Sequence, residues 1–245
     1  MKFGNRNDIF DLAWEFLRRN DKYIEDWDRV KKIHPKIGNQ EYYLIQHPID
    51  KVAEKKWGLL KYADPKNTIP AYIFWSPKYS EKWINAFIVQ ASSNNNSAIN
   101  LFIDNNISYV VMKLLDNKHC IKISRGNKYF QFFVENYSHE KNISLMLFFP
   151  LCTKLKNVKS KISEIEEILD SKSSKKNIDY SKLDLLDILD YKKKGASQRE
   201  LASLIFKDIP VENLWNPDSS IRSNIRYRIK KAQNMVEKGY LKLIC

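Results

Sequence analysis

A chain of 245 residues, 43% hydrophobic and 13% aromatic, has the apolar material for one large domain or two modest ones and is not a disordered polymer. Its 6 Gly and 8 Pro exclude collagen-like and linker-like chains, and the longest apolar run, LMLFFPLC, falls far short of the ~20 residues of a membrane helix. The net charge of +13 points to an anionic partner, whether nucleic acid, an acidic protein or a membrane surface, and does not choose among them.

The first thirty residues read as two short helices. Asp8 is placed to cap the first, whose Ile9, Leu12, Ala13, Phe16 and Leu17 recur at helical spacing. The break falls at Asn20–Asp21, and Tyr23, Trp27 and Val30 then share one side of a second helix. No signal-peptide-like apolar run opens the chain, so a cytoplasmic protein is expected. His34-Pro35 to Asn39 is turn-rich, and residues 40–70 carry no clear period.

From Ala71 the pattern changes to short runs rich in Ile, Val, Phe and Tyr, which predict strands: AYIFW, NAFIVQA, AINLFI, SYVVMKLL, CIKIS and KYFQFFVENY. Turn chemistry separates them, and Gly126-Asn127 sits at the bend of a hairpin. ISLMLFFPL leads into a helix with Leu155, Val158, Ile162, Ile165 and Leu169 in period, followed by a polar linker at 171–177. The expectation is an α+β protein: an N-terminal mixed body (1–153) with two leading helices and a mainly antiparallel sheet, a connecting helix and linker (154–178), and an all-α helix-turn-helix-like unit (179–245).

Three helices are readable in that last unit. Leu185, Ile188 and Leu189 mark the first, which ends at Gly195. In the second, Ser197 and Glu200 form a capping box, with Leu201, Leu204 and Ile205 as its buried face. The third follows Asn216-Pro217, with Asp218 or Ser219 as N-cap, and stops at Gly239. On it Ile221, Ile225, Ile229, Ala232 and Val236 fall within an arc of roughly 80°. Arg222, Ser223, Arg226, Tyr227, Lys230 and Lys231 take the opposite half, and Arg228, at the edge of the apolar stripe, is placed to reach sideways to a phosphate.

That arrangement suits a DNA groove. Arg pairs with guanine through two bonds, whereas Ser, Tyr and Lys contact phosphates. The turn at Gly195 and the segment Ser197, Gln198 and Arg199 have the form of a positioning helix beside the reader. A solvated basic face is the plainer reading, and the absence of interleaved acids argues against it. Twelve residues, KDIPVENLWNPD, separate the last two helices, where a simple helix-turn-helix has three or four.

The same residues resemble the RovC-like transcriptional regulators of bacteria. WEFLRRNDKY (14–23), Trp57-Gly58-Leu59 and Phe74-Trp75 follow the family's order at the front. GASQRELA (195–202) and SSIRSNIRYRIKKAQNMVEKGY (219–240) look like its DNA-binding domain, with Tyr227 standing where many members carry Arg. The resemblance implies a DNA-binding regulator of type VI secretion genes, an activator working as a homo-oligomer. Expected partners are double-stranded promoter DNA, further copies of the chain in an assembly that can exceed a dimer, and RNA polymerase, with no membrane.

Other constellations are weaker. Cys120, Cys152 and Cys245 fit a reducing compartment, and Cys152 reads as a buried structural thiol. The pair His119-Cys120 and the scattered His34, His47 and His139 lack the spacing of a zinc site. Glu54-Lys55-Lys56 with Asp50 has a nuclease-like spacing but lies in a segment that reads as helical or irregular, not as a strand. No Gly-rich phosphate loop is present, and no cofactor, metal or catalysis is expected. Trp14, Trp27, Trp57, Trp75 and Trp83 read as core, with subunit contacts as the alternative. Two other classes stay open: a nuclease or replication initiator using the same helix, and a scaffold docking an acidic protein.

Overall fold

The structure, a computed structural model, describes residues 11–33, 48–90, 107–114, 117–126, 128–135, 137, 143–170, 180–207 and 210–245. The expected strand at 98–103, the His34–Asn39 turn and the linker at 171–177 lie outside them.

Three helices open the fold: α1 (Leu12–Leu17), α2 (Asp21–Ile33) and α3 (Pro48–Trp57). Asp11 caps α1, its carboxylate accepting from Trp14 N at 3.2 Å and from Trp75 Nε1 at 2.7 Å. Asp8 lies outside the described residues. The break falls as expected: the side chain of Asn20 accepts from Tyr23 N at 3.2 Å and donates to Val236 O at 2.9 Å. Tyr23, Trp27 and Val30 are all buried. Tyr23 meets Trp14 and Trp57 edge to face, with ring centroids 5.6 and 5.4 Å apart, while its hydroxyl donates to Ala63 O at 2.7 Å.

Strands β1 (Trp83–Gln90), β2 (Ser108–Lys113), β3 (Lys118–Arg125), β4 (Lys128–Glu135) and β5 (Ile143–Phe148) form one sheet in the order β2-β3-β4-β1-β5. All neighbours are antiparallel except β1 and β4. The β3–β4 hairpin closes at Arg125↔Lys128, and Gly126 takes a φ of 61°, which a two-residue turn requires.

The run AYIFW is not a strand. Pro70–Tyr72 is a 3-10 turn, and Trp75 makes only an isolated bridge with Leu59. Pro70 has no N–H to give a ladder, and the buried amide of Gln131 stands in for a partner strand. It accepts from Trp75 N at 2.9 Å and donates to Trp75 O at 2.8 Å.

The sheet is covered on both faces, one of them incompletely. Ile84, Ala86, Ile121, Ile123, Phe130, Phe132 and Val134 pack against Ile165 and Ile168 of α4 (Leu155–Leu169). Leu155 and Ile162, expected in that stripe, are 76% and 37% exposed, while Ile165 of the stripe and its neighbour Ile168 are the buried contacts. On the opposite face Ala71 and Phe74 cover Val110, Met112 and Cys120. Lys122, fully buried there, donates to Pro70 O at 2.7 Å and Ile73 O at 2.5 Å, pinning the 3-10 turn to the sheet.

Helices α5 (Tyr180–Lys193), α6 (Gln198–Ile205), α7 (Val211–Leu214) and α8 (Ser220–Glu237) follow, closed by a 3-10 turn at Gly239–Leu243. One apolar cluster collects Trp14, Phe16, Tyr23, Trp57 and Trp75 together with Leu185, Leu201, Ile225, Ala232, Tyr240 and Ile244, so both ends of the chain share a core. Tyr240 donates to Trp57 O at 3.1 Å, and Gly58 (φ 73°) lies so close that a Cβ there would stand 2.9 Å from Leu241 Cδ2. Trp14, Trp27, Trp57 and Trp75 are core, and Trp83 is half-buried. Cys152 corrects the expectation of a buried thiol: it is exposed, at the turn between β5 and α4, and Cys120 is the buried one.

Candidate nucleic-acid interface

The C-terminal helices are built by local chemistry before packing. α5 ends at Gly195, whose φ of 89° is the left-handed stop favoured at helix C-termini. Ser197 then caps α6: Glu200 N donates to Ser197 Oγ at 3.3 Å, and Ser197 N donates to Glu200 Oε2 at 2.7 Å. The backbone and side-chain hydrogen bonds from Ser197 hold the Glu200 carboxyl below its ordinary pKa. Leu201 and Ala202 are the buried face of α6. Leu204, expected there, is 37% exposed.

The twelve-residue approach to α8 contains a further element. α7 begins just after Pro210, and its Val211 is buried while Trp215 packs against the core from the side. Arg199 donates to Glu212 O at 3.3 Å and so ties α6 to α7. The sequence hint was Pro210 immediately before an apolar Val, in a segment too short to show a period.

Helix α8 starts at Ser219, whose hydroxyl accepts from Arg222 N at 3.2 Å; of the two expected caps the structure uses this one. Ile225 and Ala232 are fully buried and Ile221, Ile229 and Val236 pack beside them, so the apolar arc is the core side. Ser223, Arg226, Tyr227, Lys230 and Lys231 are exposed, and Arg222 is half-buried. Among the described residues no ion pair engages Arg222, Arg226, Lys230 or Lys231.

Two contacts join this face to its neighbours. Arg226 donates from Nε to Gln198 Oε1 at 3.4 Å, bringing the start of α6 to the basic face of α8, and the Arg226 residue is exposed. Arg228 is engaged instead: Nη1 donates to Asp184 of α5 at 3.1 Å, Nε donates to Asn224 at 2.9 Å, and the guanidinium lies 5.4 Å from the Phe206 ring.

Elsewhere chemistry is sparse. Glu54 and Lys56 lie on a helix, where the Ser76 hydroxyl donates to Glu54 and Lys56 reaches Asp26 at 2.6 Å. Among the described residues no three His, Cys, Asp or Glu side chains are disposed to share a metal ion. Within the same residues no helix is long and apolar enough to cross a membrane.

Residues 168–244 match the family described as T6SS, Transcription factor, DNA binding domain, the RovC DNA-binding domain. Residues 3–60 match a Proteobacterial transcriptional regulator-like domain. The two matches together support a RovC-like transcriptional regulator. The first match spans α5 to α8 and the basic face; the second spans α1 to α3, which share a core with it. A search of curated proteins finds no match. The chain is thus a DNA-binding transcriptional regulator, and DNA is its partner.

Proposed function

We propose that the protein activates type VI secretion genes by laying α8 in the major groove of promoter DNA. The observation that carries this is the separation of the two sides of α8: a buried apolar arc and an exposed basic face that meets no acidic partner among the described residues at Arg222, Arg226, Lys230 or Lys231, inside the segment that matches the DNA-binding family. Arg222 and Arg226 are the base readers, since neither guanidinium is paired with a carboxylate among the described residues. Ser223, Tyr227, Lys230 and Lys231 contact phosphates of the same groove, joined by Ser197, Gln198 and Arg199 at the α6 start. Arg228 belongs to the framework, because reaching DNA would break its bonds to Asp184 and Asn224.

Residues 179–245 act as the DNA-binding unit, 154–178 as the connection, and 1–153 as the body that assembles subunits and receives regulatory input. One recognition helix buries only ~600–1,000 Å² on DNA, so useful specificity needs several copies on one operator. The working site is the nucleoid, beside RNA polymerase. A gel-shift titration on the upstream region of type VI secretion genes, over a salt series, tests the reading. Sequence-preferring, salt-sensitive binding supports it. Mg²⁺-dependent cutting would favour the nuclease class, and no binding at low salt would leave the scaffold class.

A further inference from the structure

Three arginines of α8 are held in three different ways. Arg228 is bound to the Asp184 carboxylate, which neutralises it. The Arg222 side chain has no hydrogen-bond or ion-pair partner among the described residues. Arg226 lies between these cases. Its Nε donates to the Gln198 amide oxygen at 3.4 Å, and neither terminal nitrogen is engaged among the described residues.

The chemistry of that contact orients both partners. Arg carries no acceptor, so only the oxygen of Gln198 can face its Nε–H, and the amide N–H groups are turned away. With Nε occupied, Nη1 and Nη2 remain as the pair that meets guanine O6 and N7 end-on. Unlike Asp184 at Arg228, a neutral amide orients the guanidinium without cancelling its charge or setting a carboxylate against phosphate.

Gln198 also has a firm base. It is the first residue of α6, directly after the Ser197–Glu200 capping box. Leu201 and Ala202 are buried in the next turn, and the neighbouring Arg199 donates to Glu212 O. On the other side Ile225, the residue before Arg226, is fully buried. The contact therefore spans two anchored backbones, and its flexible parts are the two side chains. Holding a long side chain in one orientation before binding lowers the ordering cost that binding must meet.

We infer that Gln198 is a positioning residue for base recognition: its amide oxygen presets the guanidinium plane of Arg226, so that α6 takes part in sequence reading through α8. The inference rests on the reading of Arg226 as a base contact and names what sets its geometry. It gives Gln198 a second role beside its phosphate contact, since Nε2 keeps both donors for the DNA backbone. It also separates the two readers: Arg226 is preset, whereas Arg222 becomes ordered on the DNA.

The test is fluorescence anisotropy of the full-length chain on promoter and scrambled duplexes. The proteins are wild type, Gln198→Ala, Gln198→Glu, Arg226→Ala and the Gln198→Ala/Arg226→Ala double variant. The readout is the ratio of promoter to scrambled affinity, which neither a lost phosphate contact nor partial unfolding shifts. Gln198→Ala is expected to lower the ratio by about three- to tenfold, a share of what a base contact is worth, and to add nothing in the Arg226→Ala background. Gln198→Glu keeps an acceptor within reach of Nε, so the ratio should return toward wild type while affinity for both duplexes falls. A ratio left unchanged by Gln198→Ala, or lowered as much in the Arg226→Ala background as alone, overturns the inference; so does a Gln198→Glu ratio as low as that of Gln198→Ala. In each of these cases a ratio lost in Arg226→Ala leaves the base-reader reading standing. An Arg226→Ala ratio equal to wild type overturns that reading and the inference with it.

Discussion

Arg19, just beyond α1, grips Asp190 of α5 with both prongs of its guanidinium, Nε to Oδ1 at 2.7 Å and Nη2 to Oδ2 at 2.9 Å. A third nitrogen, Nη1, donates to both the carbonyl and the carboxylate of Glu15 at 2.7 Å. The fork fastens the segment matched at residues 3–60 to the one matched at 168–244. With the shared apolar core it makes the N-terminal helices a support for the DNA-binding helices.

Removing this fork is expected to destabilise the whole molecule. Arg19→Ala removes both of its bonds to Asp190 and leaves Glu15 with Arg18 alone, at a cost of about 2 kcal/mol. Burial raises the Glu15 pKa, but the hydrogen bonds and charges of Arg18 and Arg19 outweigh it and hold the carboxyl below its ordinary value. Its contribution is therefore present above the ordinary carboxylate pKa and is lost as pH falls through the lowered one. Urea unfolding followed by tryptophan fluorescence and by helical circular dichroism should show one shared transition, shifted to lower urea in the variant.

Arg226 and Arg228 sit two residues apart and should behave oppositely. Arg226→Ala is expected to weaken specific DNA binding by ~1–3 kcal/mol with little change in thermal midpoint. Arg228→Ala should instead lower the midpoint, because Asp184 loses its partner, and leave most of the specific affinity. Fluorescence anisotropy alongside thermal melting separates the two effects.

Lys230 and Lys231 are assigned to phosphates, so their removal should act on salt dependence. Each Ala substitution is expected to reduce the slope of log K against log salt by about 1 and to weaken specific and non-specific DNA alike. Binding isotherms at four salt concentrations measure it.

Lys122 gives a pH signature to the body. Burial pushes its amine down to about 8, below the ordinary 10.5, while the charge of Asp11 and the Cys120 thiol act the other way. A neutral amine still has the two N–H groups that Pro70 O and Ile73 O require. Because the unfolded chain holds this proton and the folded one sheds it, stability should rise with pH between about 8 and 10, by about 1.4 kcal/mol per unit relative to Lys122→Met. Above pH 10 the buried Tyr23 and Tyr129, both raised by burial, reverse the trend. Unfolding free energies of both proteins across that range check the sign.

Much of this was legible in the sequence because periodicity and caps are local. The Ile225–Ala232 arc, the Ser197–Glu200 box, the Asn20 break and the Gly126 turn all rest on residues a few positions apart. What escaped depends on distant partners. AYIFW has strand composition, yet Gln131, 56 residues away, takes the hydrogen bonds of Trp75 that a neighbouring strand would take. Cys152 looked buried because LMLFFPLC is apolar, but the run ends in an exposed turn and only its strand belongs to the sheet. The contact of Arg228 with Asp184 of α5 had no signal in its own helix, and α7 was too short to announce itself. The shared core of the two family segments has no trace in either segment alone.

The measurement that reaches the central claim most directly is anisotropy on promoter and scrambled duplexes, at several salt concentrations, for wild type, Arg226→Ala and Lys238→Ala. Lys238 lies at the far end of α8, beyond the exposed basic face. The account predicts that Arg226→Ala loses ten- to a hundredfold on promoter DNA, roughly what one base contact is worth, and little on scrambled DNA, while Lys238→Ala stays near wild type on both. Equal losses at the two positions, on both duplexes, would contradict a reading helix and leave only a charge patch.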